Sequence, residues 1–256
     1  MGIQVSVWSA LAPGSSAPRL SRPQSCVLCL ALLPFFLCTC IYFHLWIPES
    51  SPSPFAAALK CGPVLSLALL VLCYNGGQSL WGVAGGLVLS AGGDACLVWP
   101  ERFLHGMACF GAAHLLYCAA FLSQRYSSPS SSIVPLLCSI ALWATGGTVY
   151  YHILPFVQQN PDAGVLVPAV AVYTLLIVTM ATLAVRTRRP LTGAGSLVFM
   201  VSDLSLALQV FQVIEPSTGI RVVVMATYYL AQLLIAVGDV SAGAEQEDGL
   251  GKRKRV

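Results

Sequence analysis

Eight apolar runs, separated by short turns that carry Gly, Pro, Ser or Asn, dominate this 256-residue chain and leave it few ways to fold. They cover 26–46, 55–74, 80–99, 103–122, 133–152, 163–185, 191–214 and 222–240. At ~1.5 Å of rise per residue, roughly 20 residues cross the ~30 Å hydrocarbon core of a bilayer. Hydrocarbon offers no partner for backbone N–H and C=O groups, so each run must satisfy its own as a helix. Composition agrees: 57% of the residues are apolar and 9% charged, against about 25% charged in a typical soluble domain. The fold class is therefore all-α, a polytopic membrane protein built as a bundle of eight transmembrane helices.

The first run is too long for the apolar core of a signal peptide and has no A-x-A cleavage site, so it reads as a retained span. Residues 1–25 are rich in Ser and Pro without helical periodicity and read as a disordered cytosolic segment. The domain proper runs over 26–240, and 241–256 form a basic tail. With the N-terminus in the cytosol, ten Lys and Arg residues outside the spans fall on the cytosolic side. Only Arg102 and Arg221 fall on the other, so the positive-inside rule places both termini in the cytosol. The tail Lys252-Arg253-Lys254-Arg255-Val256 has the K-x-K-x-x form of an endoplasmic-reticulum retrieval signal, and it equally suits contact with anionic lipid. The expected location is the endoplasmic reticulum membrane. Met1-Gly2-Ile3-Gln4-Val5-Ser6 fits the short myristoylation pattern, which leaves the state of Gly2 open.

Most of the ten cysteines fall in or at the ends of apolar runs and read as small hydrophobes. Cys26 and Cys29 have C-x-x-C spacing but no second pair or His to complete a zinc site. The net charge of +3 is spread over loops and the tail, which is no footprint for nucleic acid. Self-association as a homo-oligomer is left open.

Three formally charged residues lie well inside the runs: Lys60, Asp94 and Asp203. An aspartate at a helix centre costs roughly 2.5 to 3.5 kcal/mol to insert, so an intramembrane acid is by default a functional residue. Counted from the non-cytosolic ends at ~1.5 Å per residue, Lys60 and Asp94 lie about 8 Å deep and Asp203 about 16 Å. His114 falls at about 16 Å and Tyr228 at about 9 Å on the same rise. One polar pocket in that half of the membrane would keep all five from lipid. Duller roles stand beside this one: Lys60 as a structural counter-ion, His114 and Tyr228 as interhelical hydrogen-bonding residues, and Gly92-Gly93 as a helix-packing contact. Asp94 sits in the third span and Asp203 in the third of the second four, as a parallel four-plus-four duplication would place them.

Two carboxyls in one low-dielectric site cannot easily ionise together, so one is expected to keep its proton beside an anionic partner. That is the acid and base pair that glycosidases apply to acetals. Neither a G-x-S-x-G elbow nor an H-E-x-x-H pair is present, and the four histidines lie on different spans.

Six segments together resemble the lysoplasmalogenase family, also called the YhhN or transmembrane protein 86 family, and its mammalian B-type branch in particular. They are Ile41-Tyr42-Phe43-His44-Leu45-Trp46-Ile47-Pro48, Leu59-Lys60-Cys61-Gly62-Pro63-Val64-Leu65, Gly93-Asp94-Ala95-Cys96-Leu97-Val98-Trp99, Ala113-His114-Leu115-Leu116-Tyr117, Val201-Ser202-Asp203 and Ala226-Thr227-Tyr228-Tyr229-Leu230-Ala231-Gln232. Gly62 departs from the pattern, where a larger residue is common. The resemblance covers roughly 26–240 and implies an eight-span hydrolase that cleaves the vinyl ether bond of lysoplasmalogens. Its products would be a fatty aldehyde and glycerophosphocholine or glycerophosphoethanolamine. The resemblance also implies two essential aspartates, matching Asp94 and Asp203; acid and base chemistry on that pair requires no metal, and no cofactor is expected. Lys60, His114 and Tyr228 would then tune the pair or bind the headgroup, Lys60 contacting the phosphate. The competing expectation is a proton-coupled transporter or receptor for a lysophospholipid, using the same Lys-Asp-Asp set without changing the lipid. A non-catalytic scaffold would tolerate loss of both aspartates.

Overall fold

The computed structural model describes residues 22–46, 51–126, 133–215 and 217–253, and among them every regular element is helical. In chain order these are α1 (Arg22–Ala31), α2 (Leu33–Leu45), α3 (Pro54–Asn75), α4 (Val83–Cys96), α5 (Phe103–Leu122), α6 (Ile133–Gln158), α7 (Ala163–Arg186), α8 (Pro190–Val210) and α9 (Thr218–Arg253). α1 and α2 are separated only by Leu32 and form one span, Val27–Leu45. Among the described residues, seven helical spans are long and apolar enough to cross a bilayer, and α4 is a shorter apolar helix beside them. The expected bundle therefore forms. The N-terminal segment 1–21, with its myristoylation motif, and residues 254–256 of the tail lie outside the described residues.

Local sequence sets the helix ends. Ser53 caps α3 by accepting the Ala56 N–H at 3.1 Å, and Pro54 occupies the first turn, where its missing N–H costs nothing. α3 stops at Gly76, whose φ of 63° is one that L side chains rarely adopt. The run 80–99 is helical only over Val83–Cys96, because a tight turn at Gly76–Ser79 precedes it and a second at Pro100–Arg102 follows. Its 14 residues reach only about 21 Å. α4 tolerates that length because it packs against α3, α5 and α9 rather than facing lipid alone. The last helix instead continues past Val240 to Arg253, and a 2.9 Å ion pair between Arg189 and Glu245 ties the extension to the start of α8.

Consecutive spans run antiparallel, so the ends of the bundle differ. One end carries Trp46, Trp99, Arg102 and Thr218; the other carries Asn75, Arg125, Arg189 and Glu245. The spans Val27–Leu45 and Ile133–Gln158 are each only 6% buried, against 44% for α3, so they sit on the outside of the bundle. Inside, α8 packs on α9, α4 on α5 and α3, and α5 on α7. Small residues permit this closeness: a Cβ on Gly93 of α4 would come within 2.6 Å of the Phe110 ring on α5.

Candidate active site

Asp94 lies in the last turn of α4 and is 2% exposed. The Tyr228 hydroxyl, carried by α9, donates to its Oδ2 at 2.6 Å. The Tyr228 ring is held edge-on by Phe110 and Phe199, with centroids 5.9 and 5.6 Å away. Four residues further along α9, on the same helix face, Gln232 accepts the Tyr117 hydroxyl at 2.8 Å. A row of polar groups thus runs beneath Asp94 into the centre of the bundle.

Asp203, on α8, is served from two other helices. The Tyr173 hydroxyl of α7 donates to Asp203 Oδ2 at 2.5 Å, and His114 Nε2 of α5 lies 3.4 Å from the same oxygen and 3.1 Å from the Tyr173 hydroxyl. The His114 ring is fully buried against Phe199 and Met180. The Asp203 side chain keeps 14% exposure.

Both aspartates line one cavity of about 360 Å³, together with Lys60, Ser202, Arg221 and Tyr228. It extends to Trp46, Ser51 and Pro52 at one end of the bundle. The Lys60 carbonyl accepts the Tyr229 hydroxyl at 2.9 Å, which pins that turn of α3 to α9. The Lys60 side chain makes no ion pair within 4.0 Å among the described residues, so its charge faces the cavity without direct contact to either aspartate. Ser202, next to Asp203, donates to the Val224 carbonyl at 2.9 Å and fixes α8 against α9 at the cavity wall.

Of the five residues singled out in the sequence, four meet at this cavity. His114 does not line it, but stands behind Asp203 as a hydrogen-bonding neighbour. Tyr173 and Arg221 were missed. Tyrosine is ordinarily an interfacial aromatic, and only a three-dimensional pairing marks Tyr173 as the donor to an acid. Arg221 reads as a loop cation until the cavity brings it near the aspartates. Also missed was Asp239, 2% exposed near the opposite end of the bundle. It accepts from Tyr126 at 2.7 Å, Asn75 at 2.7 Å and Ser79 at 3.1 Å, with Arg125 at 3.5 Å. Burial, then the nearby Asp239 charge, pushes the Tyr126 hydroxyl well above the ordinary tyrosine range, so it remains a donor. This cluster clamps α3, α5 and α9 together, away from the cavity that holds Asp94 and Asp203.

Two carboxyls at one cavity, each held by a phenolic donor and accompanied by two cations, can exchange protons with a substrate while binding an anionic group. Residues 55–238 match the YhhN family. The chain belongs to that family. It is 42% identical over 207 residues to pig "Lysoplasmalogenase TMEM86B", covering 80% of this chain and 84% of the relative. The human protein of that name is 39% identical over 223 residues, 86% of this chain and 91% of the relative. Human "Lysoplasmalogenase TMEM86A" is 34% identical over 228 residues, 82% of this chain and 89% of the relative. No solved structure matches.

Proposed function

We propose that this YhhN-family chain is a lysoplasmalogenase, hydrolysing the vinyl ether of an alkenyl glycerophosphocholine or glycerophosphoethanolamine. The observation that carries the reading is the shared cavity, in which Asp94 and Asp203 line the same space as Lys60 and Arg221. The names of the relatives supply the substrate class.

A vinyl ether is stable to base and labile to acid, which is the chemistry a pair of aspartic carboxyls supplies. One carboxyl gives its proton to the alkene carbon remote from oxygen, and the oxygen lone pair stabilises the oxocarbenium ion that results. The other carboxylate stabilises that cation and takes a proton from the water that adds to it, giving a hemiacetal. On collapse the first carboxylate takes the hemiacetal hydroxyl proton, while the second returns its proton to the departing glycerol oxygen. Aldehyde and alcohol leave, and both aspartates regain their starting states. Tyr228 and Tyr173 hold the two carboxyl groups in place by hydrogen bonding. Lys60 and Arg221 bind the headgroup phosphate, a point charge and a planar fork respectively.

The enzyme would sit in the endoplasmic reticulum membrane with both termini in the cytosol and the cavity mouth on the other side, as the distribution of Lys and Arg indicates. The test is lipid chromatography after incubating purified protein with alkenyl lysophosphatidylcholine. Fatty aldehyde is expected from the wild type, and none from Asp94→Asn or Asp203→Asn despite normal expression. Unaltered lipid carried across a vesicle membrane would instead support transport, and turnover by either Asn variant would remove that aspartate from the mechanism.

A further inference from the structure

We infer that a second, apolar cavity beside the first takes the alkenyl chain, so that the reactive double bond lies at Asp203. The inference rests on the lysoplasmalogenase reading above and names where that substrate divides.

The second cavity, of about 290 Å³, is enclosed by α5, α6, α7 and α8, with Val149, Ile153, Ile177, Ala207 and Phe211 on its walls. Four residues line both cavities: Leu97, Phe110, Asp203 and Leu206. Asp94, Lys60 and Arg221 line only the polar one. Asp203 is thus the titratable side chain common to both, at the boundary between a charged space and an apolar one.

The substrate has the same order of parts. Its phosphate and glycerol are polar, its chain is hydrocarbon, and the vinyl ether joins them. A phosphate at Lys60 and Arg221 with the chain among Val149, Ile153 and Ile177 sets that junction at Asp203. The apolar walls accept a hydrocarbon chain and offer no partner to a phosphate, and that difference dictates orientation. Val201 on the cavity wall is exposed, and α6 packs mainly on α7, so a chain can pass in from lipid between α6 and α8.

This arrangement also assigns the two carboxyls. The carbon that takes the proton is the one on the chain side of the double bond, so Asp203 donates it. The carbon that takes water is bonded to the ether oxygen on the headgroup side, so Asp94 receives the proton of that water. Both contacts to Asp203, from Tyr173 and His114, fall on Oδ2. That leaves Oδ1 as the oxygen available to the substrate.

Two experiments test the site. A non-hydrolysable alkyl ether lysophosphatidylcholine with a diazirine at the chain terminus is photolysed with the intact protein, and the labelled peptides are mapped. Label in α6 and α7 is expected; label confined to α2, α3 or α4 overturns the inference. Separately, Ala207→Phe and Thr145→Phe narrow the apolar cavity from two helices. Each should lower kcat/KM at least about tenfold for a hexadecenyl substrate while leaving a propenyl analogue within about twofold of wild type. Equal effects on both chains would overturn the inference. A wild type that releases no aldehyde would sink the catalytic reading, while the labelling pattern would still report where the chain lies.

Discussion

The hydroxyl of Tyr228 donates to Oδ2 of Asp94 across 2.6 Å, joining two helices through residues 134 positions apart in the chain. Neither group has a cheap alternative in this place, since Asp94 is 2% exposed and Tyr228 4%. A buried carboxyl without a donor would bear a full desolvation penalty. The phenol therefore orients the acid and makes its burial tolerable, which is why the site comes from the bundle and not from a loop.

Tyr228→Phe removes that donor and keeps the ring contacts with Phe110 and Phe199. A hydrogen bond to a charged group is worth about 1.5–3 kcal/mol, so kcat should fall roughly ten- to a hundredfold with little change in KM. Steady-state aldehyde release checks this. Unchanged kcat would leave Tyr228 with a packing role only.

Lys60→Met should act on binding. The side chain lines the cavity and makes no ion pair within 4.0 Å among the described residues, so its removal breaks no direct salt bridge. KM for the lysophospholipid should rise about tenfold, as for loss of one charge-assisted contact, with kcat nearly retained. An alkenyl glycerol, which has no phosphate, should show no difference between variant and wild type. A parallel loss on that substrate would place Lys60 in the chemistry instead.

How much of this was legible beforehand follows from the cost of charge in hydrocarbon. Asp94 and Asp203 stand out in sequence because nothing else of their kind is tolerated mid-span without a reason, and the positions of Lys60 and Tyr228 follow from helical rise. Tyr173 is silent in sequence because a tyrosine in a span raises no such alarm. Asp239 is overlooked because it lies one residue from the end of its apolar run and reads as an interfacial acid. In the fold it is buried, since α9 continues to Arg253 and keeps that turn inside the bundle. The division into a polar and an apolar cavity depends on which residues of α5 to α8 face one another. Nearly uniform apolar helices do not encode that in their periodicity.

Asp239→Ala should damage stability and spare chemistry. It strips the acceptor from Tyr126, Asn75 and Ser79 and leaves Arg125 without its carboxylate. Breaking a buried ion pair from one side typically costs about 3–5 kcal/mol. Thermal unfolding in detergent should shift down by several degrees or more. Aldehyde release at low temperature, per folded molecule, should stay near wild type because Asp239 lies about 16 Å along α9 from Tyr228. Lost turnover with normal melting would point to a role for this cluster in catalysis.

Gly93→Ala tests whether Phe110 positions Tyr228. The new methyl would come within 2.6 Å of the Phe110 ring, so the ring must turn aside. Overpacking of this sort costs about 1–3 kcal/mol. Phe110 lines both cavities and holds the Tyr228 ring, so its displacement reaches the site as well as the core. The expected outcome is a modest fall in melting temperature with at least about a tenfold loss of kcat, since small misplacements of catalytic groups are costly. The double variant Gly93→Ala with Phe110→Leu, which replaces the planar ring by a smaller side chain, should recover stability more fully than activity. Equal recovery of both would mean that Phe110 only fills space and does not position Tyr228.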